Sequence, residues 1–254
     1  MNTPFALELV DVSKSYGRLK ALNKVSLDIK PAQFVGLLGQ NGAGKSTLFQ
    51  LLTGLFNSDE GQLRVCGHDI SRDPIKALSS LGVVFQQSTL DLDLTVGGNL
   101  KFHCLLHGLS RKQADLRIDS ELERFSMQEI RNTVVRNLSG GNRRKVELIR
   151  ALLHEPKVLL MDEATVGLDP ESRKSLVNHV LTLCKEREIA VLWSTHIIEE
   201  VQAADSVIVL DKGTILAESS PEQLQMESEK PSLTLADAFS QLIDKNKNIG
   251  VVYE

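Results

Sequence analysis

Residues 33–47 read QFVGLLGQNGAGKST, an apolar run that passes through glycines into a lysine and two hydroxyl side chains. From Gly39 onward the stretch fits the pattern G-x-x-x-x-G-K-[ST], and it lies between a predicted buried strand (33–39) and a predicted helix (45–55). Glycines let backbone N–H groups wrap a phosphate, and a helix directs its positive end at the same anion. The stretch therefore predicts a phosphate-binding loop in an α/β fold.

Two side chains of this loop have predicted roles beyond the backbone. Lys45 reaches the β and γ phosphates of a nucleotide, and Ser46 offers its hydroxyl to magnesium. The other residues expected to contact the nucleotide are Gly39, Asn41, Gly42, Ala43, Gly44 and Thr47. The alternative is a tight glycine turn without a ligand. The flanking strand and helix argue against it, because they are the context in which the motif works.

A second strand, KVLLMDEA (157–164), ends in two carboxylates. In a phosphate-binding fold, an aspartate at a strand end completes the magnesium shell, which assigns that role to Asp162. Glu163 beside it can polarise a water molecule, so it is the candidate general base for hydrolysis. A solvated strand end is the alternative, and the presence of the phosphate loop disfavours it.

Two further polar residues end predicted strands, His196 as the last residue of VLWSTH and Gln86 in LGVVFQQ. Ligands of open α/β sheets bind beyond the carboxyl ends of the strands, which are expected to meet at one edge. We therefore expect His196 to reach the γ-phosphate and Gln86 to hold the metal or the attacking water. A purely structural histidine is the alternative for His196, and the adjacent Gln87 is the alternative to Gln86.

The stretch LSGGN (138–142) places Ser139, Gly140 and Gly141 at the start of a predicted helix, an arrangement that resembles a second anion site.

Tyr16, in SKSYG, can stack on adenine, with a packed loop tyrosine as the alternative. His103 and His107 have the i, i+4 spacing of metal ligands. Because the glutamate of H-E-x-x-H is missing, no metal site is predicted there.

The whole chain has the composition of a globular protein, with 254 residues, 42% hydrophobic residues and a net charge of −4. This charge gives no general attraction to nucleic acid, so no nucleic-acid partner is expected. The three cysteines are far apart, which indicates neither a disulfide framework nor a zinc site. No signal peptide is evident, and no apolar stretch reaches the roughly 18 residues of a membrane span.

The order of the predicted elements indicates a mostly parallel sheet covered on both faces, because apolar strands alternate with amphipathic helices. Short strands are predicted at 5–12 and 25–30, with a turn at Gly17. A helical stretch at 95–154 interrupts the alternation and is expected to form a separate lobe. The tail from Pro221 is expected to hold one short helix, LTLADAFSQLI (233–243).

Taken together, these residues resemble the nucleotide-binding subunit of ABC transporters from about residue 5 to residue 220. The matching motifs are Tyr16 (A-loop), 39–47 (Walker A), Gln86 (Q-loop), 138–142 (signature), 158–163 (Walker B), 167–169 (D-loop) and His196 (switch histidine). The resemblance implies a P-loop NTPase (RecA-like) core with an N-terminal antiparallel β region and an inserted α-helical lobe at about 88–154. It also implies an ATPase domain at 1–220 and a short C-terminal helical extension at 221–254.

In this family two copies form a head-to-tail dimer, and each ATP lies between the Walker A of one copy and the signature of the other. The resemblance therefore implies that Ser139, Gly140, Gly141 and Asn142 contact, in trans, a nucleotide bound by the partner, with Asp169 contributing from the D-loop. It further implies ATP and Mg²⁺ as ligands, and Ser46, Gln86 and Asp162 around the metal. ATP hydrolysis by a homodimer would power separate polytopic membrane subunits at the cytoplasmic face of the inner membrane.

The short tail and the arginine-rich signature helix are most similar to the ATPases of ABC-2 type exporters, so export is the expected direction. The chain departs from the family pattern at Asn142, Ala164 and Val166. None of these departures changes Lys45, Asp162, Glu163 or His196, so an active ATPase is expected. Two alternatives are a non-transport ABC ATPase acting on ribosomes or DNA, and a regulatory module that binds ATP without hydrolysing it.

Overall fold

The computed structural model describes residues 5–226 and 234–250, the last four of these as helical backbone alone. The first half of the chain contains β1 (Leu7–Tyr16), β2 (Leu19–Ile29), β3 (Phe34–Leu38), α1 (Lys45–Leu52), β4 (Glu60–Val65), β5 (His68–Asp69), α2 (Pro74–Ser79), β6 (Leu81–Val84), α3 (Val96–Leu106) and α4 (Arg111–Arg124). The second half contains α5 (Gly140–Leu152), β7 (Val158–Asp162), α6 (Pro170–Glu186), β8 (Ala190–Thr195), β9 (Ser206–Asp211), β10 (Thr214–Ser219), α7 (Pro221–Met226) and α8 (Leu235–Gly250).

The larger sheet has six strands in the order β10-β9-β3-β8-β7-β6. Strand β3 is buried along its whole length, and it pairs in parallel with both β8 and β9. Strands β6, β7 and β8 continue the parallel pairing, whereas β10 forms an antiparallel edge with β9. Continuous apolar strands of this kind are typical of parallel sheets covered on both faces.

Side chains of each central strand alternate between two hydrophobic cores. Phe34 and Leu38 belong to a core shared with α3, α4, α5 and α6, whereas Val35 and Leu37 face a second core shared with α1 and the smaller sheet. This alternation is the period of two that strand geometry imposes. The two cores hold opposite faces of one sheet, which fixes the positions of the strand ends.

The smaller sheet is antiparallel, in the order β2-β1-β4-β5. It confirms the predicted N-terminal β region and the turn at Gly17, although both strands are longer than expected and turn directly into each other. Together with the parallel sheet, it confirms the predicted α/β fold.

Helices α3, α4 and α5 occupy the stretch that was expected to be helical, and two short 3₁₀ turns lie between α4 and α5. Their apolar faces, including Leu100, Ile118 and Ile149, pack in the same core as Trp193 of β8. This helical segment is therefore anchored on the sheet through a continuous apolar core.

The tail differs from the sequence prediction, because it contains two helices, α7 and α8, where one was expected. The predicted helix at 233–243 corresponds to α8, which continues to Gly250, while Leu233 lies outside the described residues. Residues 1–4 of the predicted ATPase domain, and 227–233 and 251–254 of the predicted extension, also lie outside them. Among the described residues, no helix combines the length and apolar character that crossing a bilayer requires.

Strand β6 approaches α5 so closely that only glycine fits at position 82 without a shift of the backbone. A Cβ on Gly82 would lie 2.4 Å from the carbonyl oxygen of Ala151. We expect Gly82→Ala to lower the free energy of unfolding by about 1–3 kcal/mol, because either β6 or α5 must shift to relieve the clash. The midpoint of urea unfolding measures this loss.

Gly140→Ala is the matched control, since a Cβ at that helical position meets no atom within 4 Å. Its urea midpoint is expected to stay within about 0.5 kcal/mol of the wild type. Equal midpoints for Gly82→Ala and Gly140→Ala would contradict the close approach of α5 to β6.

Candidate functional site

The loop 39–47 joins the end of β3 to the start of α1, as the sequence indicated. Gly44 precedes the helix with a φ of 109°, and a Cβ there would lie 2.7 Å from the carbonyl oxygen of Ala21. Only glycine combines this backbone conformation with such a close approach. The loop is also tied to the β9–β10 turn, because the Gly213 N–H donates to the Ala43 carbonyl at 2.8 Å.

A cavity of about 520 Å³ lies over this loop. Its lining includes Tyr16, Gln86 and Glu163, all predicted from the sequence. The loop itself contributes residues 40–47 to the lining, and further lining residues are Leu19, Lys20, Ala21 and Lys212. None of these last four was predicted from the sequence. Gly39, the first residue of the loop, is not among the lining residues, and its carbonyl accepts a hydrogen bond from Lys45.

Lys45 is buried at the floor of the cavity, where its Nζ donates to the Gly39 carbonyl at 2.7 Å. The same Nζ lies 3.4 Å from Oε1 of Glu163. Ser46 and Thr47 line the cavity beside it. A charge-assisted contact between a buried lysine and a carboxylate links the phosphate loop to the end of β7.

Glu163 also contacts two residues from neighbouring strand ends. Gln86 follows β6, and its Nε2 donates to Oε2 of Glu163 at 3.0 Å. His196 follows β8, and its Nδ1 lies 3.5 Å from Oε1 of Glu163. The structure thus brings Lys45, Gln86 and His196 together around one carboxylate at the carboxyl edge of the parallel sheet.

The backbone of Glu163 has a φ of 45°, which is uncommon for a residue other than glycine. Its N–H donates to the Ser194 carbonyl, and its carbonyl accepts from the Val166 N–H, so both backbone polar groups of Glu163 are hydrogen-bonded. Such left-handed residues persist where the surroundings fix them, and they cluster at functional sites. This conformation turns the chain sharply after β7.

Asp162 is the last residue of β7, adjacent to Glu163. Burial raises the pKa of Asp162, and the negative charge of Glu163 raises it further. Lys45 opposes this effect. A partly buried carboxylate of this kind is a chemically suitable ligand for a hard cation. Asp162 is not itself among the residues that line the cavity, whereas the Ser46 hydroxyl, a second oxygen donor, belongs to a residue that does.

Tyr16 ends β1 at the rim of the cavity, with 41% of its surface exposed. Its ring lies edge-on to Phe56, with centroids 6.2 Å apart, and its hydroxyl is 3.4 Å from Oε1 of Gln50. The Nζ of Lys14 lies 5.9 Å from the ring centroid. The ring is therefore partly packed and partly open to the cavity.

The residues 139–142 are not among those that line this cavity. Ser139 caps α5 and accepts a hydrogen bond from the Asn142 N–H at 3.3 Å, and Gly140 is exposed. Asp169 caps α6 in the same way and accepts from the Ser172 N–H at 2.9 Å. The two helix starts are adjacent, because a Cβ on Gly141 would lie 3.2 Å from Oγ of Ser172.

A buried ion pair links α5 to the cavity, and sequence reasoning missed it. Arg144 donates to the carbonyls of Phe85 and Gln86 at 2.6 and 2.9 Å, and to Glu147 at 2.6 Å. Glu147 in turn accepts from the Thr89 N–H at 3.1 Å. The backbone that carries Gln86 is thereby fixed to α5, the helix that Ser139 caps.

The fold and the phosphate loop place the chain among the P-loop NTPases, and comparison with known proteins specifies the family. The ABC transporter family profile matches residues 22–166. The daunorubicin resistance ATP-binding protein DrrA3 of Streptomyces coeruleorubidus is 35% identical over 223 residues, which is 88% of this chain and 71% of DrrA3. The probable multidrug ABC transporter ATP-binding protein YbhF of Escherichia coli (strain K12) is 32% identical over 240 residues, 93% of this chain but only 41% of YbhF.

The fold agrees with this similarity. The dimeric structure of MJ0796, a bacterial ABC transporter cassette, superposes with a TM-score of 0.76 at 26% identity, covering 84% of this chain and 98% of that cassette. The chain belongs to the ABC transporter family and is one of its ATP-binding subunits. Hydrolysis of ATP coupled to transport is the general activity of these subunits, which confirms the family and the activity expected from the sequence.

The Arg144–Glu147 pair generates a stability prediction. Arg144→Ala leaves Glu147 buried without its partner, so we expect a loss of about 3–5 kcal/mol in the free energy of unfolding. Arg144→Met combined with Glu147→Leu removes both charges and is expected to recover much of that loss. Urea unfolding of the two variants measures the difference.

Arg124→Ala is the control, because its pair with Glu186 is exposed and is worth at most about 1 kcal/mol. An Arg144→Ala variant no less stable than Arg124→Ala would contradict the buried network.

Proposed function

We propose that two copies of this chain form a head-to-tail homodimer that hydrolyses ATP on the loop 39–47. The observation that carries the catalytic part is the convergence of Lys45, Gln86 and His196 on the carboxylate of Glu163, at distances of 3.0–3.5 Å. The four residues lie after four different strands, β3, β6, β7 and β8, at one edge of the sheet. A single chemical step that needs all four side chains explains their convergence.

Glu163 is the proposed general base. Lys45 faces its carboxylate at 3.4 Å, so a γ-phosphate on the loop would compete for the lysine and release the carboxylate. Glu163 then accepts a proton from the attacking water, while Lys45 stabilises charge that develops on the phosphate. Gln86 orients the water, and His196 contacts the γ-phosphate.

Magnesium is the proposed metal. Its ligands would be the hydroxyl of Ser46 and the carboxylate of Asp162, with Gln86 near it, since hard oxygen donors suit this ion. Burial raises the pKa of Asp162, and a cation beside the carboxylate would offset this rise. When bound, the ion neutralises charge on the β and γ phosphates.

The remaining binding residues complete two halves of one site. In one copy, residues 39–47 hold the phosphates and Tyr16 stacks on the adenine. In the other copy, Ser139, Gly140, Gly141 and Asn142 at the start of α5 contact the same ATP, with Asp169 beside them. The exposure of this helix start, away from its own chain's cavity, supports a role toward a second copy. The dimeric MJ0796 cassette supports it as well.

The proposed partners are separate polytopic membrane subunits, which hold the chain at the cytoplasmic face of the inner membrane. Residues 88–154 act as the inserted helical lobe of an ATPase domain spanning 1–220, and 221–254 form its extension. The exposed apolar residues Phe102, Leu105 and Leu106 of α3 offer a docking surface on that lobe. Export is the proposed direction, since DrrA3 is named for drug resistance and YbhF for multidrug transport.

Glu163→Gln tests the assignment of the base. We expect phosphate release to fall by on the order of 100-fold or more, because the amide accepts no proton, while ATP affinity measured by calorimetry is retained. Phosphate release by the wild-type protein is also expected to depend on added Mg²⁺.

Glu123→Gln, on the exposed face of α4, is the matched control and should turn over like the wild type. Wild-type turnover by Glu163→Gln would remove Glu163 from the role of base.

A further inference from the structure

Three of the six histidines lie together in a pocket of about 370 Å³, separate from the phosphate loop. His103 and His107 are on and just after α3, and His154 follows α5. One ring nitrogen of each lies within 4.8 Å of the others, and this is the one such trio of His, Cys, Asp or Glu among the residues that the structure describes. The sequence had indicated only the first two, because His154 is far from them along the chain.

The pocket concentrates polar atoms that have no partner. In the described part of the chain, six buried side-chain nitrogen or oxygen atoms lack a hydrogen bond, and three of them are Nε2 of His103, Nε of Arg150 and Nδ1 of His154. All three residues line this pocket. Buried polar groups are normally paired, so an unpaired cluster calls for a partner in the pocket, such as water, an ion or another ligand.

The tautomer of His154 is set by the backbone. Its Nε2 lies 2.8 Å from the Leu81 carbonyl, which can only accept, so Nε2 carries the proton. Nδ1 then presents its lone pair toward the pocket. A carbonyl that orients the far nitrogen of an imidazole is the usual outer-shell support of a metal-ligating histidine.

The trio is also held in its neutral form, which is the form that binds metals. Burial lowers the pKa of His103 to about 3 and that of His154 to about 4, and it lowers the pKa of His107 as well. Neutral imidazoles favour zinc, copper, nickel or cobalt over magnesium or calcium. Cys104 does not contribute a thiolate, because it is buried in the core on the other side of α3.

The present spacing requires a small movement for coordination. Metal–nitrogen bonds of about 2.0–2.1 Å place tetrahedral ligands roughly 3.4 Å apart, so the nitrogens must close by at most about 1.4 Å. His107 is exposed and is stacked on His154 with ring centroids 3.9 Å apart, so its ring is the one that can turn inward.

We propose that His103, His107 and His154 bind one late transition-metal ion, such as Zn²⁺, and leave a fourth position open to the pocket. The unpaired Nε–H of Arg150 favours an anionic fourth ligand, such as hydroxide or chloride, which also offsets the repulsion between the guanidinium and the ion. The ion would connect α3, the helix with the exposed apolar surface, to the end of α5, the helix that Ser139 caps. The proposal does not depend on the nucleotide site.

Titration of the full chain, without an added histidine tag, with Co²⁺ tests this proposal. Excess Mg²⁺ is included to occupy the oxygen ligands around Asp162. We expect saturable binding of one ion with visible absorption bands of a four- or five-coordinate centre, displaced by Zn²⁺. Zn²⁺ is also expected to raise the melting temperature of the wild-type protein, since it binds the folded state.

His107→Gln removes the exposed ligand at little cost to packing, and it should weaken Co²⁺ binding by on the order of 100-fold or more, because losing a ligand exceeds the effect of losing an outer-shell partner. His68→Gln changes a half-exposed histidine elsewhere and should bind Co²⁺ like the wild type. Absence of saturable binding in the wild type, or equal binding by His107→Gln and the wild type, would overturn the proposal.

Discussion

The contact between Lys45 and Glu163 joins the two parts of the molecule on which the site depends. The lysine lies at the start of α1, in the loop that follows β3, and the glutamate follows β7. Their 3.4 Å contact therefore requires β3 and β7 to end at the same edge of the sheet. The two cores on opposite faces of the sheet fix that edge. The left-handed backbone of Glu163 then directs its carboxylate to the residues that follow β6 and β8.

Helix α5 connects this edge to the proposed dimer surface. Its start carries the exposed cap residue Ser139 and the exposed Gly140, and its second turn carries Arg144, which holds the backbone of Gln86. A shift of α5 would therefore move its exposed start and the glutamine that contacts Glu163 together. In the proposed dimer, such a rigid connection would let nucleotide contacts in one copy affect the site of the other.

The sequence was most informative where chemistry and local structure coincide. The position of the loop 39–47 between β3 and α1 was predictable because its glycines, lysine and hydroxyls lie between an apolar run and a helical pattern. The position of Asp162 and Glu163 at the end of β7 was predictable because two carboxylates end an apolar run. Arg144 and His154 were not predictable, since their partners Phe85 and Leu81 are brought near only by the packing of α5 on β6. The second helix of the tail was also missed, because a six-residue helix has too few turns to show a period.

The central claim is that each ATP site combines residues 39–47 of one copy with 139–142 of the other, and mixing two inactive variants tests it most directly. Lys45→Ala damages the first half and Ser139→Arg the second, so each variant alone forms only defective sites. In an equimolar mixture, the mixed dimers carry one complete site, and we expect ATP-dependent dimers and a part of the wild-type phosphate release to return. A mixture that stays as inactive as its components, or full turnover by Ser139→Arg alone, would contradict the shared site.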